Sequence, residues 1–368
     1  MGALAPSGER VVTAARRLGV EAGAVWACVL DQRRDSAVVA AAELLQYDLK
    51  TGAIITTNHK AIPPVTGCWK RVRDGRTLLW SHHQIIMHGS GDDSTSAPLT
   101  VRTGDGERLY DAAVVLSQLR LAEISRDERG LSSLQVHRDL TTLSDVMLQS
   151  EPRPHSALWM DTIGEDSLAF GRSDGGVELW RVPASGAASR LAQDGHTGAV
   201  LHGAVAPGDR HLVTAGADQT VRVWSIGVDP VMYMSLSAVC SGHGEPITDV
   251  AITPDGGCVA TSSRDRTIRL WGIPDGRSFA VLTGHRDWVT HLAVNPAGTH
   301  LASCSEDGTI KVWDLDSREC VGTAYGVSRF LCLAMSADTV CAGDAAGNFW
   351  MLRYGTGFAA LEDAPTLS

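Results

Sequence analysis

One period constrains this chain more than anything else in it. Gly195-His196, Gly242-His243 and Gly284-His285 are followed, 22 residues after each histidine, by Asp218, Asp265 and Asp307, and six residues later by Trp224, Trp271 and Trp313. Self-similarity at a fixed spacing of about 20 to 50 residues marks a repeat architecture, which decides the fold before any local reading can.

Between the markers the text repeats as well. "HLVTAGADQTVRVW", "CVATSSRDRTIRLW" and "HLASCSEDGTIKVW" each give a β-rich run, a tight polar turn at the aspartate, and alternation into tryptophan. Val221 and Val223 against Thr220 and Arg222 describe a strand with one buried face. Upstream, "APGDR", "TPDGG" and "NPAGT" supply Pro, Gly and Asp turns. Each unit is thus an antiparallel meander of about four strands, the pattern of a propeller blade.

With those markers in place, the chain resembles the WD40 family: Gly-His near the start of the unit, Asp in the turn between its second and third strands, and Trp-Asp at the end as Trp313-Asp314. The resemblance implies an all-β WD40 β-propeller of seven or eight four-stranded blades. It also implies a buried network of His, Ser or Thr, Asp and Trp. The matching sets are His196, Thr214, Asp218 and Trp224; His243, Thr261, Asp265 and Trp271; and His285, Ser303, Asp307 and Trp313. An aspartate there can accept from backbone N–H groups and from the histidine, satisfying buried polar atoms. These residues are catalytic by type and structural by position.

Outward from the three clear copies the pattern decays. "SLAFGRSDGGVELW" keeps Asp174 and Trp180, with "PHSALWMD" where Gly-His would stand. In "TVCAGDAAGNFWML" Asp344 and Trp350 carry the six-residue spacing, yet the turn glycine, Gly347, aligns with Gly308 and puts Leu352 at the tryptophan position. The earlier part reads as worn blades: "SAVVAAAELLQYDLKTGAII" has Tyr47-Asp48 for Trp313-Asp314, and "CWKRVRDGRTLLWSHHQIIMHG" and "LRLAEISRDERGLSSLQVHRDL" follow more loosely. The organisation expected is a partial blade or extension over 1–20, degenerate blades over 21–156, clear WD40 blades over 157–354 and a tail over 355–368. The closing "AGDAAGNFWMLRYG" is similar to the last repeat of WD arrays attached to bacterial signalling NTPases of the NACHT or STAND type, which makes such an NTPase a candidate partner. No G-x-x-x-x-G-K-[ST] loop accompanies it in this chain.

Composition narrows the function. Lys and Arg number 32 and Asp and Glu 42, a net charge of −10, and no stretch gathers enough cations to neutralise a row of phosphates, so nucleic acid is not the expected partner. Apolar runs are short and interrupted, and the N-terminus has no h-region, which predicts a cytoplasmic protein without a membrane partner. Pro6 stands where a myristoylation motif wants Ser or Thr. Only Lys50, Lys60, Lys70 and Lys311 are lysines, an arginine bias that suits a GC-rich bacterial genome. The eight cysteines show no C-x-x-C spacing and read as free thiols packed as small apolar groups.

A search for chemistry finds no G-x-S-x-G elbow, H-E-x-x-H helix, dinucleotide fingerprint or EF-hand loop, and no cofactor is expected. His82, His83 and His88 with Cys68 have metal-ligand types, but the blade reading distributes them between a turn and a strand end. Asp92-Asp93 and Glu165-Asp166 read as solvated turns. In WD40 proteins the Gly-His loop and the Asp turn open on one rim used for partners, which here selects Pro246 and Trp288 ahead of the first strand and Arg264 and Glu306 ahead of the aspartate. Trp and Arg are enriched in binding hot spots. The function expected is a non-catalytic scaffold for a protein or peptide partner. The alternative is a propeller hydrolase or lyase with its site in a central funnel. Val250-Ala251-Ile252 and Leu292-Ala293-Val294 on the inner strands favour the scaffold.

Overall fold

The computed structural model of the chain describes residues 146–228 and 231–354 throughout and, before them, 15–19, 24–25, 27–31, 36–41, 44–51, 53–58, 70–71, 77–80, 84–88, 99–103, 109–116 and 120–138. Every regular element among these is a strand, and the strands form eight four-stranded antiparallel sheets.

The first strand in the chain is β1 (Ala15–Gly19). The first sheet holds β2 (Ala27–Asp31), β3 (Ser36–Ala40), β4 (Leu44–Asp48) and β5 (Ile54–Asn58). The second holds β6 (Lys70–Arg71), β7 (Thr77–Trp80), β8 (Gln84–His88) and β9 (Leu99–Thr103), and the third β10 (Leu109–Val115), β11 (Leu121–Arg126), β12 (Ser132–His137) and β13 (Val146–Gln149). The fourth is β14 (Ala157–Ile163), β15 (Ser167–Arg172), β16 (Gly176–Arg181) and β17 (Ser189–Asp194). Next come β18 (Val200–Val205), β19 (His211–Gly216), β20 (Val221–Gly227) and β21 (Tyr233–Cys240) in the fifth sheet. The sixth contains β22 (Ile247–Ile252), β23 (Cys258–Ser263), β24 (Ile268–Gly272) and β25 (Ser278–Leu282). The seventh contains β26 (Val289–Val294), β27 (His300–Ser305), β28 (Thr309–Asp314) and β29 (Cys320–Tyr325). β30 (Phe330–Met335), β31 (Thr339–Asp344) and β32 (Asn348–Arg353) begin the eighth.

The eighth sheet takes its fourth strand from the other end of the chain: β1 pairs antiparallel with β32, Ala15 opposite Leu352 and Gly19 opposite Asn348. Of the partial blade or extension expected over 1–20, the described residues 15–19 form this fourth strand of the last sheet. The tail 355–368 lies outside the described residues.

The chain divides into two compact units, Met1–Ile62 with Gly284–Ser368, and Pro63–Thr283. Within the second, each core lies between successive sheets. Trp180 packs with Ile124 and Leu134, Trp224 with Ile163 and Leu179, and Trp271 with Val213 and Val223. Within the first, Leu352 packs with Val312 and Ala302, and Tyr47 stacks on Phe349 at 5.0 Å. The second strand of the first sheet, β3, is buried along its length and reads as a nearly continuous apolar run, whereas fourth strands such as β21 and β25 keep one face in water.

Register settles the last repeat. Leu352 faces Val340 as Trp313 faces Leu301, and Gly347 (φ 84°) occupies the turn position of Gly308 (φ 74°). Both turns need a left-handed residue, which glycine adopts without a Cβ penalty.

Candidate interaction face

Three copies of one hydrogen-bonded chain fix the loops ahead of the first strands. The indole N–H groups of Trp224, Trp271 and Trp313 donate to Thr214 Oγ1 (2.9 Å), Thr261 Oγ1 (2.9 Å) and Ser303 Oγ (2.8 Å). The same hydroxyls lie 2.9, 2.9 and 2.8 Å from the Nε2 atoms of His196, His243 and His285. Nδ1 of each ring then meets Asp218 (2.9 Å), Asp265 (2.8 Å) and Asp307 (3.2 Å). Every group in the chain is satisfied by a neutral imidazole protonated on Nδ1. The carboxylates also accept backbone N–H groups of Thr197 (2.9 Å), Gly244 (3.0 Å) and Arg286 (2.8 Å), tying each turn to the preceding loop.

Sequence reasoning missed a fifth member. Thr220, Thr267 and Thr309, two residues after the aspartate, donate through Oγ1 to its carboxylate at 2.8, 2.7 and 2.6 Å. The signal was present as D-x-T in all three copies. Two of the three glycines before the histidines stand where a side chain would crowd its neighbours, and the third, Gly284, has its backbone at φ 146°. A Cβ on Gly195 would lie 2.7 Å from Trp224 Cζ2, and one on Gly242 2.8 Å from Arg269 Nη1.

Burial holds the imidazoles of His196 and His285 below their ordinary value, outweighing the pull of Asp218 and Asp307. Burial also pushes His202 down to about 4. For Asp265 and Asp307, burial acts upward, but the hydrogen bonds from His243 and Thr267, and from His285 and Thr309, hold both carboxyls well below the usual range. A histidine depressed in the folded state leaves the unfolded chain binding more protons below about pH 6.5, so its contribution is present above that value and lost as pH falls. The depressed carboxylates act in the same direction below about pH 4. Thermal unfolding midpoints should be level above neutrality and decline in two stages, each histidine adding up to about 1.4 kcal/mol per pH unit. A midpoint unchanged from pH 7 down to pH 5 would contradict the histidine stage.

Two sheets solve the same problem differently. In the fourth, Phe170 stands opposite Glu178, the arrangement in which the fifth sheet has Thr214 opposite Arg222. Trp180 Nε1 therefore donates to Glu178 Oε2 at 2.9 Å. Glu178 is 2% exposed and also accepts from Arg153 (2.7 Å), Arg172 (2.8 Å) and Arg190 (2.7 Å). Asp174 keeps its turn through Arg172, at 2.8 and 2.7 Å, with His155 3.4 Å away. In the eighth sheet, buried Asp344 accepts from Trp350 Nε1 at 2.9 Å and from Asn348 Nδ2 at 2.8 Å. The six-residue spacing from Asp344 to Trp350 is thus a real contact outside the repeat register.

The loop positions come together pairwise. Within the second unit, the Arg264 N–H donates to the Pro246 carbonyl at 3.1 Å; Arg264 is exposed and Pro246 half-buried. Within the first, the Glu306 N–H donates to the Trp288 carbonyl at 2.9 Å, and Trp288 is 44% exposed. Arg329, which the sequence reading did not select, reaches Glu306 at 3.6 Å and adds a cation beside that tryptophan's loop. Val327, on the loop before Arg329, is 60% exposed.

Elsewhere, Cys68, His82, His83, Asp92 and Asp93 lie outside the described residues; β8 ends at His88, and of its side chain nothing is described. Glu165 and Asp166 occupy the turn between β14 and β15. No group of three or more metal-ligating side chains occurs among the described residues. The apolar reading of the inner strands was incomplete. β18 and β22 place His202 Nδ1 3.6 Å from Asp249 Oδ1, and the Val205 N–H donates to Asp161 at 3.2 Å. Among the described residues, no helix is long and apolar enough to cross a membrane.

Comparison with known proteins places these features. The family model "WD domain, G-beta repeat" matches residues 189–225, 234–272 and 276–314. "Apoptotic protease-activating factor 1" of Danio rerio is 29% identical over 188 residues, covering 46% of this chain and 13% of that protein. The chain thus spans about one eighth of that relative's length. Among solved structures, the computationally designed Ika8 protein is similar in fold, with a TM-score of 0.73 at 20% identity over 91% of this chain and 98% of its own.

Proposed function

From a chain that carries three WD40 repeats in a WD40 β-propeller fold, we propose a non-catalytic scaffold that captures a protein or peptide partner on the loops carrying Trp288 and Glu306 in the first unit, with the loops carrying Pro246 and Arg264 in the second as a further candidate surface. One observation carries this reading: Trp288 is 44% exposed on a loop whose backbone is pinned by the buried His285–Asp307 pair. A large exposed aromatic group on a fixed backbone leaves less conformational freedom to be lost on binding than one on a free loop, which suits a hot spot. WD40 repeats act as protein-interaction scaffolds, and the relative matched over 188 residues is named as a protease-activating factor, which supports a signalling context.

The finer reading is a cytoplasmic sensor or regulatory component of a bacterial signalling system, with a NACHT or STAND-type NTPase as the partner. It rests on the similarity of the closing repeat to WD arrays attached to such enzymes. A hydrolase or lyase would instead use ionisable groups on the first strands, where the His202–Asp249 pair supplies a neutral imidazole beside a carboxylate.

Immobilised chain, exposed to a lysate from its own source, separates these readings. Trp288→Ala should weaken capture of the retained partner about 30-fold, the effect of removing about 2 kcal/mol of binding energy. Arg264→Ala should weaken it less, and His202→Gln should leave it unchanged. Equal capture by Trp288→Ala and the unaltered chain would overturn the assigned face.

A further inference from the structure

Four described cysteines gather within one compact unit. Cys28 on β2, Cys304 on β27, Cys332 on β30 and Cys341 on β31 are all buried. The Cys28 thiol donates to the Cys341 carbonyl at 3.4 Å, while the Cys332 thiol donates to the Val25 carbonyl at 3.9 Å. The two thiols thus reach across one junction from opposite sides.

The register argues against simple apolar filling. Cys332 faces Gly343 in the place where His202 faces Ala215, Asp249 faces Ser262 and His291 faces Cys304. That first-strand position carries an ionisable side chain in three other sheets; in the eighth sheet it carries a thiol turned onto Val25, just ahead of β2. Gly343 permits the approach, since a Cβ there would lie 2.2 Å from Val25 Cγ1 and 2.8 Å from Cys332 Sγ.

We propose that Cys28 and Cys332 are the two halves of an oxidisable latch, forming a disulfide with a hydroperoxide as oxidant and tying the first sheet to the eighth. One thiolate attacks a peroxide oxygen, giving a sulfenic acid with release of water or an alcohol. The second thiol then displaces the sulfenic oxygen as water. With hydrogen peroxide, two thiols and one peroxide become one disulfide and two waters, the two electrons passing from sulfur to oxygen. The Cys332 side chain beside it draws the Cys28 thiol down, but burial and the neighbouring Cys341 and Cys304 more than reverse it; burial holds Cys332 well above the ordinary thiol value. Reaction therefore waits on opening of β2 from β30, because the thiolate is the nucleophile and neither sulfur forms it readily while buried. Once formed, the bond joins residues 304 positions apart and restrains that opening.

The test is cysteine mapping on the intact chain. After hydrogen peroxide, denaturation and alkylation, six of the eight cysteines should label, and a non-reduced digest should hold one cross-linked pair, Cys28 with Cys332, released by dithiothreitol. Amide exchange in β2 and β30 should slow at least about tenfold on oxidation and recover on reduction. Cys341→Ser should keep the cross-link and Cys332→Ser should lose it. Mapping of the unaltered chain decides the matter even where a variant folds poorly. All eight cysteines labelled, irreversible sulfinic acid without a cross-link, or a pair that includes Cys341 would each overturn the proposal.

Discussion

Replacing Asp265 with alanine is expected to lower stability by about 3 kcal/mol, and Asp307→Ala by a similar amount. The carboxylate of Asp265 accepts His243 Nδ1 at 2.8 Å, the Gly244 N–H at 3.0 Å, the Thr267 N–H at 2.9 Å and the Thr267 hydroxyl at 2.7 Å. Its removal leaves a fully buried imidazole with an unpaired Nδ1–H and frees the loop from the turn. Each buried donor left without a partner costs about 1 to 3 kcal/mol, whereas donors at the loop surface can turn to water, which keeps the total near the lower end of their sum. Asp265→Asn retains one acceptor oxygen and should lose about half as much. Denaturant midpoints at unchanged m-value measure both. A loss under 1 kcal/mol for Asp265→Ala would mean that the network follows the fold without supporting it. Trp271→Phe, which removes only the N–H donated to Thr261, offers a milder control.

This outcome bears on how much of the molecule was legible beforehand. The networks around His196, His243 and His285 could be assigned residue by residue because each links positions separated by fixed spacings that recur three times. Tyr47 was legible for the same reason. It packs its ring on Phe349, and Asp48 accepts the Lys50 and Thr51 N–H groups as Asp314 accepts those of Asp316 and Ser317. What escaped was non-periodic. The pairing of β1 with β32 joins segments at opposite ends of the sequence, and nothing local in "AARRLG" identifies its partner. His202 and Asp249 looked unrelated because each strand was read alone, and their proximity arises only when β18 and β22 pack side by side. Arg329 was hidden by a loop one residue shorter than its counterparts, so that its alignment with Trp288 becomes visible only in the backbone bonds from Ala345 to Arg329 and from Glu306 to Trp288.

The fourth sheet provides the sharpest case, because there the repeat keeps its aspartate and tryptophan but changes the chemistry between them. Glu178→Ala should destabilise the chain by about 3 to 5 kcal/mol, the cost of removing one partner from a buried ionic cluster. Arg172 is 13% exposed and divides its guanidinium between Glu178 and Asp174, so loss of the glutamate leaves positive charge in a poorly solvated place. Arg190 loses both of its 2.7 Å bonds, and the buried Trp180 N–H loses its acceptor. Burial acts to raise the Glu178 carboxyl, and the bonds from Arg190, Trp180 and Arg172 overcome it and hold the group below its ordinary value. That stability is therefore present above about pH 4.5 and lost as pH falls through the depressed folded value. Glu178→Gln keeps the shape but turns an N–H group toward a shell made only of donors, and should recover little of the loss. Arg153→Ala and Arg190→Ala should cost far less, since those side chains are about a third exposed and water can replace them. If Glu178→Ala proves as mild as either arginine variant, the cluster is a surface ion-pair group. If it exceeds both by several kcal/mol, as its burial requires, this sheet has replaced the hydroxyl-and-imidazole device of its neighbours with a carboxylate enclosed by three arginines.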